Sequence, residues 1–171
     1  AADPESPSTY LRGRWAVERA FVQSDIPCTV LRAATIVARG SAPFDLATLS
    51  ARRLPVVPEP RWMRSCIIEP VALADAVQAL TLAIDDRDLD GRSFDISGPD
   101  RMSLATMARE WAAATGRRRA YVPVPLDAFG ASGWASWVLD RRSPRAARLL
   151  LEAFRARQVC ADPSRRFPLP Q

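Results

Sequence analysis

Two short apolar segments constrain the fold of this chain of 171 residues more than any other feature. The segments "CTVLRA", Cys28 to Ala33, and "SFDIS", Ser93 to Ser97, have the β-branched and apolar character of buried central strands. Helical segments alternate with them, which is typical of an α/β layer structure. Because two strands alone make a marginal sheet, we expect them to be part of a larger one.

Helix signals surround these strands. The clearest predicted helices run from a cap at Ser8 or Thr9 to about Ser24, from about Phe44 to Arg53, from an N-cap at Asp75, and from an N-cap at Ser103 to Gly116. In the third helix, Val77, Leu80 and Ile84 are expected to face the core. Two further helices are predicted through Trp134–Leu139 and after Ser143-Pro144. The segment "PVVPEPRW" is interpreted as a Pro-rich loop or an edge strand.

The composition excludes several kinds of chemistry. The chain has no histidine and no lysine, and all 24 of its basic residues are arginine. Histidine acid/base catalysis, Schiff bases and lysine-dependent phosphate loops are therefore excluded. Cys28, Cys66 and Cys160 are far apart, so buried free thiols are expected rather than a disulfide framework or a metal site. Any chemistry rests on Asp, Glu, Tyr, Cys, Ser or Thr, with arginine supplying positive charge.

The net charge of +5 is unevenly distributed. Residues 1–100 carry 11 Arg and 14 acids, a charge of −3, whereas residues 101–171 carry 13 Arg and 5 acids, a charge of +8. A basic module for nucleic acid or anionic lipid is one interpretation, but the arginines are spaced as on solvated helix faces, so nucleic acid is not expected as a partner. No apolar run reaches the roughly 20 residues of a membrane span, and the polar start lacks signal-peptide features, so cytoplasmic residence is expected.

The order of several motifs carries a resemblance to a known family. The motifs are "YLRGRWAVE", "TVLRAATIV", "EPVALADAVQAL", "SFDISGPDRMSLATMA" and "TGRRRAYVPVP", which with the Trp134 region span about residues 8–170. They resemble the C-terminal portion of NAD(P)H-binding proteins of the atypical short-chain dehydrogenase/reductase group, in its NmrA-like branch. The resemblance implies part of a doubly wound, Rossmann-like parallel sheet in residues 1–100. It implies a helical substrate-side region with an irregular tail in residues 101–171.

The resemblance also implies a site. Tyr10 and Arg14 match the Tyr-x-x-x-Lys pair of the wider family, with arginine in place of lysine. An arginine can stabilise a tyrosinate, but it cannot relay protons because it does not deprotonate. The cofactor-facing wall corresponds to Ala33, Ala34, Thr35 and Ile36, and Trp62 and Met63 are candidates for lining a substrate pocket.

Each of these residues also has a simpler interpretation. Tyr10 would pack against the sheet with Arg14 in solvent, Ala33–Ile36 would be an ordinary strand exit, and Trp62 would be an exposed or packed loop aromatic. Asp75 is interpreted as a helix cap. Glu69 occupies a plausible cleft position without a second carboxylate at an acid/base spacing.

The chain departs from the family at one decisive point. None of its seven glycines has the GxxGxxG spacing that cradles the cofactor pyrophosphate at a helix N-terminus. We therefore expect a C-terminal fragment or truncated product that binds nicotinamide weakly or not at all. Two functions stay open for the intact parent, with NAD(P)H as cofactor. One is hydride transfer to a small carbonyl, imine or quinone-like substrate, and the other is non-catalytic nicotinamide sensing.

Overall fold

A computed structural model of the chain describes residues 4–125, 152–154, 159–160 and 162–168. Its helices are α1 (Thr9–Val22), α2 (Ala42–Arg53), α3 (Arg61–Ser65), α4 (Leu73–Asp85) and α5 (Leu104–Ala114). Its strands are β1 (Val30–Ala33), β2 (Ile36–Val37), β3 (Val56–Pro60), β4 (Ile67–Ile68), β5 (Val71–Ala72), β6 (Ser93–Ile96), β7 (Met102–Ser103) and β8 (Ala120–Val124). Short 3₁₀ turns lie at Arg87–Leu89 and Pro163–Arg165.

The two segments predicted as central strands lie side by side. β1 and β6 pair in parallel, with Val30 opposite Ser93 and Ala33 opposite Ile96, so this prediction is confirmed. β2 pairs in parallel with β5, and β3 with β8, whereas β4 and β7 are antiparallel. A parallel bridge joins Asp95 to Arg166, beside which the Phe167 amide donates to the Asp95 carbonyl at 2.9 Å. The C-terminal segment, of which residues 159–160 and 162–168 are described, therefore lies along β6.

Successive residues of β1 and β6 face opposite sides of the pair. On one side, Phe94 and Ile96 are buried in a core with Val71, Ala79 of α4 and Phe167 of the tail. On the other side, Arg32 contacts Glu18 of α1. Helices thus cover both sides of the parallel pair, which is the layering of a doubly wound sheet.

The prediction for α4 is wrong in its orientation. Val77, Leu80 and Ile84 are 51%, 53% and 79% exposed, whereas the buried residues of this helix are Ala76 and Ala79. Small side chains let the helix backbone come close to the sheet, and the bulkier residues are left on the outer side. The helix also begins earlier than predicted.

Asp75, the predicted N-cap of α4, lies inside the first turn of the helix. The N-cap position belongs to Ala72, which has no side-chain oxygen to accept a hydrogen bond. A carboxylate in the first turn still interacts favourably with the helix dipole, so Asp75 supports the helix start without capping it.

Helix α5 packs against α2 and α3. Phe44 of α2, Met63 of α3, Leu104 of α5 and Phe154 share one buried cluster. β3, in the segment interpreted as a loop or edge strand, pairs over its whole length with β8. Residues on both sides of the predicted boundary at residue 100 therefore share a core, and the boundary itself stays a prediction.

Local signals fixed the start of α1 and both ends of α5 as predicted. The Ser8 hydroxyl accepts from the Leu11 amide at 3.4 Å, and the Ser103 hydroxyl accepts from the Thr106 amide at 3.0 Å. Gly116 follows α5 with a φ of +70°, a conformation that favours glycine. The helices predicted near Trp134–Leu139 and after Ser143 lie outside the described residues. Within the described part of the chain, no helix has the length and apolar character needed to cross a membrane.

Candidate functional site

A cleft of about 650 Å³ lies between α1 and the edge of β1. Helix α1 contributes the face that carries Tyr10, Arg14, Val17 and Phe21. The opposite wall is formed by a continuous stretch from Cys28 to Ile36. Val17 and Phe21 are 54% and 57% exposed, so the cleft has an open apolar side.

Tyr10 and Arg14 are in direct contact on the rim of this cleft. The Nε and one terminal nitrogen of Arg14 donate to the Tyr10 Oη at 3.1 Å and 3.0 Å. The spacing of four residues on α1 places the two side chains on one helix face, which makes the contact possible. Because Oη accepts both of these bonds, the phenolic O–H stays available as a donor.

The predicted cofactor-facing residues line the same cleft as this pair. Ala33, Ala34, Thr35 and Ile36 follow one another along its wall. They are held in place by backbone bonds from the Ala34 amide to the Ile96 carbonyl at 2.9 Å and from the Val71 amide to the Thr35 carbonyl at 3.0 Å. The structure therefore brings six of the eight predicted site residues to one cleft. That wall lies at the carboxyl ends of β1 and β6, where ligands bind in open α/β sheets.

Two buried hydroxyls also line the cleft. Thr29 Oγ1 is buried without a hydrogen bond to any described residue, whereas the Ser97 hydroxyl lies close enough to Glu69 to help lower the pKa of that carboxyl. Ser97 directly precedes Gly98, where a Cβ atom would lie 2.0 Å from the Pro70 carbonyl oxygen. Glycine is required there, and the close approach fixes the backbone beside Ser97. An unpaired buried hydroxyl is costly, so the Thr29 hydroxyl is suited to bind a polar ligand in the cleft.

Sequence reasoning missed an ion pair in the cleft. Arg32, in the middle of β1, donates to both carboxylate oxygens of Glu18 at 2.9 Å and 2.5 Å, and the Ser93 hydroxyl donates to Glu18 at 3.2 Å. Burial acts to raise the pKa of Glu18, but the hydrogen bond and charge of Arg32 outweigh it, so the pKa lies below its usual value. Spacing places Glu18 one turn beyond Arg14 on the same face of α1, but it does not identify Arg32 as the partner of Glu18.

The two candidates for a substrate pocket lie elsewhere. Met63 is 6% exposed within the core that α2, α3 and α5 share. The ring of Trp62 stacks on Phe154, with centroids 6.0 Å apart and planes 13° apart. Neither residue is among those lining the cleft between α1 and β1. Their role toward a substrate stays a prediction.

Glu69 is buried, and its carboxylate is bonded by arginines and a backbone amide rather than by a second carboxylate. It is 1% exposed and accepts from Arg101 Nε at 2.6 Å, from the Cys160 amide at 2.9 Å and from Arg166 at 3.3 Å. Burial favours a raised pKa, but the bonds from Cys160 and Arg101 outweigh it and hold the pKa of Glu69 below its usual value. Glu69 therefore anchors the C-terminal segment as a carboxylate.

Comparison with known proteins gives a match in structure but not in sequence. No family model matches the chain, and no curated protein matches it in sequence. A nucleoside-diphosphate-sugar epimerase from Staphylococcus aureus is similar over 90% of this chain and 50% of its own, at 16% identity and a TM-score of 0.66. A dTDP-glucose 4,6-dehydratase from Bacillus anthracis, in complex with NAD, is similar over 90% of this chain and 53% of its own, at 12% identity and a TM-score of 0.54.

A human epimerase family protein with NADPH is similar over 82% of this chain and 43% of its own, at 20% identity and a TM-score of 0.53. The chain thus spans about half the length of the structures it matches. These likenesses confirm the predicted fold class, an α/β, Rossmann-like doubly wound sheet.

Proposed function

We propose that this chain forms the nicotinamide- and substrate-facing half of an NAD(P)-dependent oxidoreductase of the short-chain dehydrogenase type, in its NmrA-like branch. The supporting observation is that the Tyr10–Arg14 pair and the Ala33–Ile36 wall line one cleft. The structural relatives add support, since a dehydratase among them is in complex with NAD and an epimerase family protein is with NADPH. The function of the whole enzyme is part of this proposal.

The residues of the cleft fit one end of the cofactor. A volume of about 650 Å³ is in the range of small-molecule sites, and the short side chains of Ala33 and Ala34 leave space along the wall. The unpaired hydroxyl of Thr29 would bond to a ribose or carboxamide group. No Gly-rich turn occurs within the 171 residues, so the proposal assigns the pyrophosphate to a polypeptide segment other than these residues.

The proposed chemistry divides between the cofactor and the chain. Bound NAD(P)H would supply a hydride to a small carbonyl, imine or quinone-like substrate. Tyr10 would donate its phenolic proton to the substrate oxygen or nitrogen, because Arg14 occupies the acceptor side of Oη and leaves the O–H free. Arg14 would then stabilise the tyrosinate by a charge about 3 Å away. The electrostatic interaction of such a pair is worth only about 1 kcal/mol in water. It is several-fold stronger once bound groups exclude the water.

A second function, non-catalytic nicotinamide sensing, is favoured by one specific observation. The residue that contacts Tyr10 Oη is an arginine, which cannot pass a proton onward to solvent as the lysine of the wider family does. A sensor would bind the cofactor through the same wall without oxidising it. Binding with no turnover of NADPH in the presence of carbonyl substrates would support this alternative.

Saturation-transfer NMR of NADPH with the 171-residue chain tests the proposal. We expect weak binding, with stronger saturation of the nicotinamide protons than of the adenine protons, because only the nicotinamide end has its subsite here. Arg14→Gln should reduce that saturation, whereas Arg64→Gln, an exposed substitution on α3, should not. Preferential saturation of adenine, or none of either ring, would overturn the proposal. Tight NADPH binding would show that the pyrophosphate is held without a Gly-rich turn.

A further inference from the structure

We infer that the chain carries a second ligand site, a phosphate-binding pocket at the amino end of β6. The pocket has a volume of about 390 Å³ and is lined by Arg32, Arg92, Ser93, Phe94, Ser164 and Arg165. Three arginines and two serines line it; Arg32 and both serine hydroxyls are bonded to nearby carboxylates, so Arg92 and Arg165 supply its available donors. The inference does not rest on the oxidoreductase function.

Two of the three arginines form no direct ion pair with a described carboxylate, although the charge of Arg165 acts on Glu18 and Asp162. Within residues 4–125, 152–154, 159–160 and 162–168, neither Arg92 nor Arg165 has a carboxylate oxygen within 4 Å of its guanidinium nitrogens. Arg92 instead lies over the Phe94 ring, with Cζ 4.8 Å from the centroid, which orients its guanidinium. Arg32 is already bonded to Glu18. An anion in this pocket would therefore pair with Arg92 and Arg165.

The neighbouring acids are occupied by other partners. Glu18 is bound by Arg32 and by the Ser93 hydroxyl. Asp162 accepts from the Ser164 amide at 2.9 Å and from the Ser164 hydroxyl at 2.7 Å. Hydrogen bonds from Ser164, together with the charge of Arg165, hold the pKa of Asp162 below its usual value. These carboxylates set the local geometry, and the charge of Arg92 has no counter-ion among the described residues.

A phosphate group suits this pocket better than a carboxylate. Guanidinium groups bond phosphate oxygens in pairs, and converging donors from several arginines can reach three oxygens at once. The pocket volume exceeds that of inorganic phosphate, which leaves room for a small ester group. The pocket shares Arg32 with the cleft, but Arg92 and Ser93 lie at the amino end of β6, whereas Ser97 of the cleft follows its carboxyl end.

The test is a titration of the full 171-residue chain with inorganic phosphate and, separately, with ribose 5-phosphate, at constant ionic strength set with chloride. Binding is followed by ³¹P line broadening and by the rise in the midpoint of thermal unfolding. We expect Arg92→Gln and Arg165→Gln each to weaken binding about tenfold, a loss of about 1.4 kcal/mol. Arg87→Gln is the matched control, since Arg87 is an exposed arginine outside the pocket. Arg165→Lys should retain part of the affinity.

The outcomes separate the ligand sources. Tighter binding of ribose 5-phosphate supports a phosphate ester as ligand, and equal binding of both supports recognition of the phosphate group alone. The inference is overturned if phosphate and chloride have the same effect at equal ionic strength. It is also overturned if Arg92→Gln and Arg165→Gln bind phosphate as well as the unsubstituted chain. Both substitutions are at exposed side chains, and far-UV circular dichroism checks that the fold is kept.

Discussion

Arg14 holds the hydroxyl of Tyr10 from one side, with two guanidinium nitrogens 3.1 Å and 3.0 Å from Oη. The guanidinium carbon also lies 5.3 Å from the centroid of the tyrosine ring. Arg14 therefore restricts where the phenolic proton can point as well as placing a positive charge beside the oxygen. Tyr10 lines the cleft, and one side of its Oη stays free of Arg14.

The first prediction concerns this pair in a polypeptide that also supplies the Gly-rich turn. Tyr10→Phe should lower the rate of NADPH oxidation by about 10²- to 10⁴-fold, the usual contribution of a positioned proton donor. Tyr121→Phe is the matched control, because Tyr121 is the other tyrosine of the chain and lies on β8 away from the cleft. Stopped-flow absorbance of NADPH measures both rates. Equal rates for the two variants would remove Tyr10 from the chemistry.

The second prediction concerns the buried carboxylate of Glu69. Its pKa is depressed in the folded state, so its stabilisation is present above the unfolded pKa of about 4.3 and is lost as pH falls through the folded pKa. Glu69→Gln should lower the free energy of unfolding by about 1–3 kcal/mol at pH 7. The difference from the unsubstituted chain should shrink toward pH 3.

Urea unfolding at pH 7 and pH 3 measures this difference. Glu110→Gln, at an exposed position of α5, should change neither value by more than about 0.5 kcal/mol. A loss for Glu69→Gln that is the same at both pH values would mean that packing, and not ionisation, accounts for it.

The third prediction tests which face of α4 meets the core. Ala79→Leu should destabilise the fold by about 1–3 kcal/mol, because Ala79 is fully buried and extra methylene groups would overpack the site. Leu80→Gln should change stability by less than about 0.5 kcal/mol, since Leu80 is 53% exposed. Chemical denaturation measures both. The reverse order of effects would restore the orientation predicted from sequence.

This helix shows where prediction from sequence succeeded and where it did not. The β1–β6 pair and the caps at Ser8 and Ser103 were predictable, because strand composition and capping act within a few residues. The orientation of α4 was not, because hydrophobic periodicity favours the bulkier side chains, whereas close packing on the sheet selected Ala76 and Ala79.

The candidate site divides in the same way. The Tyr10–Arg14 contact is one helical turn and follows from spacing alone. The Glu18–Arg32 pair joins a helix to a strand, and the Ser93 bond to Glu18 spans 75 residues. Such contacts depend on how elements pack, so a single sequence does not reveal them.

The fourth prediction concerns the three thiols. Burial raises the pKa of Cys66 to about 12, and burial also raises the pKa of Cys160, whereas Cys28 is the least buried of the three and lines the cleft. The thiolate is the reactive form, so at pH 8 one thiol should react rapidly with an aromatic disulfide and two slowly. Cys28→Ser should abolish the rapid phase. Loss of that phase in Cys66→Ser instead would contradict the structure.

The hydrogen bonds from Cys160 and Arg166 to Glu69 have a consequence for biosynthesis. The partners of this carboxylate lie 91 and 97 residues further along the chain, so the ribosome must make them long after Glu69 itself has emerged. Before then, Arg101 and Ser97 are the nearer partners of Glu69 in sequence, and contacts of large sequence separation form late and slowly. The C-terminal segment therefore closes over Glu69 late in folding, after the rest of the chain has been made.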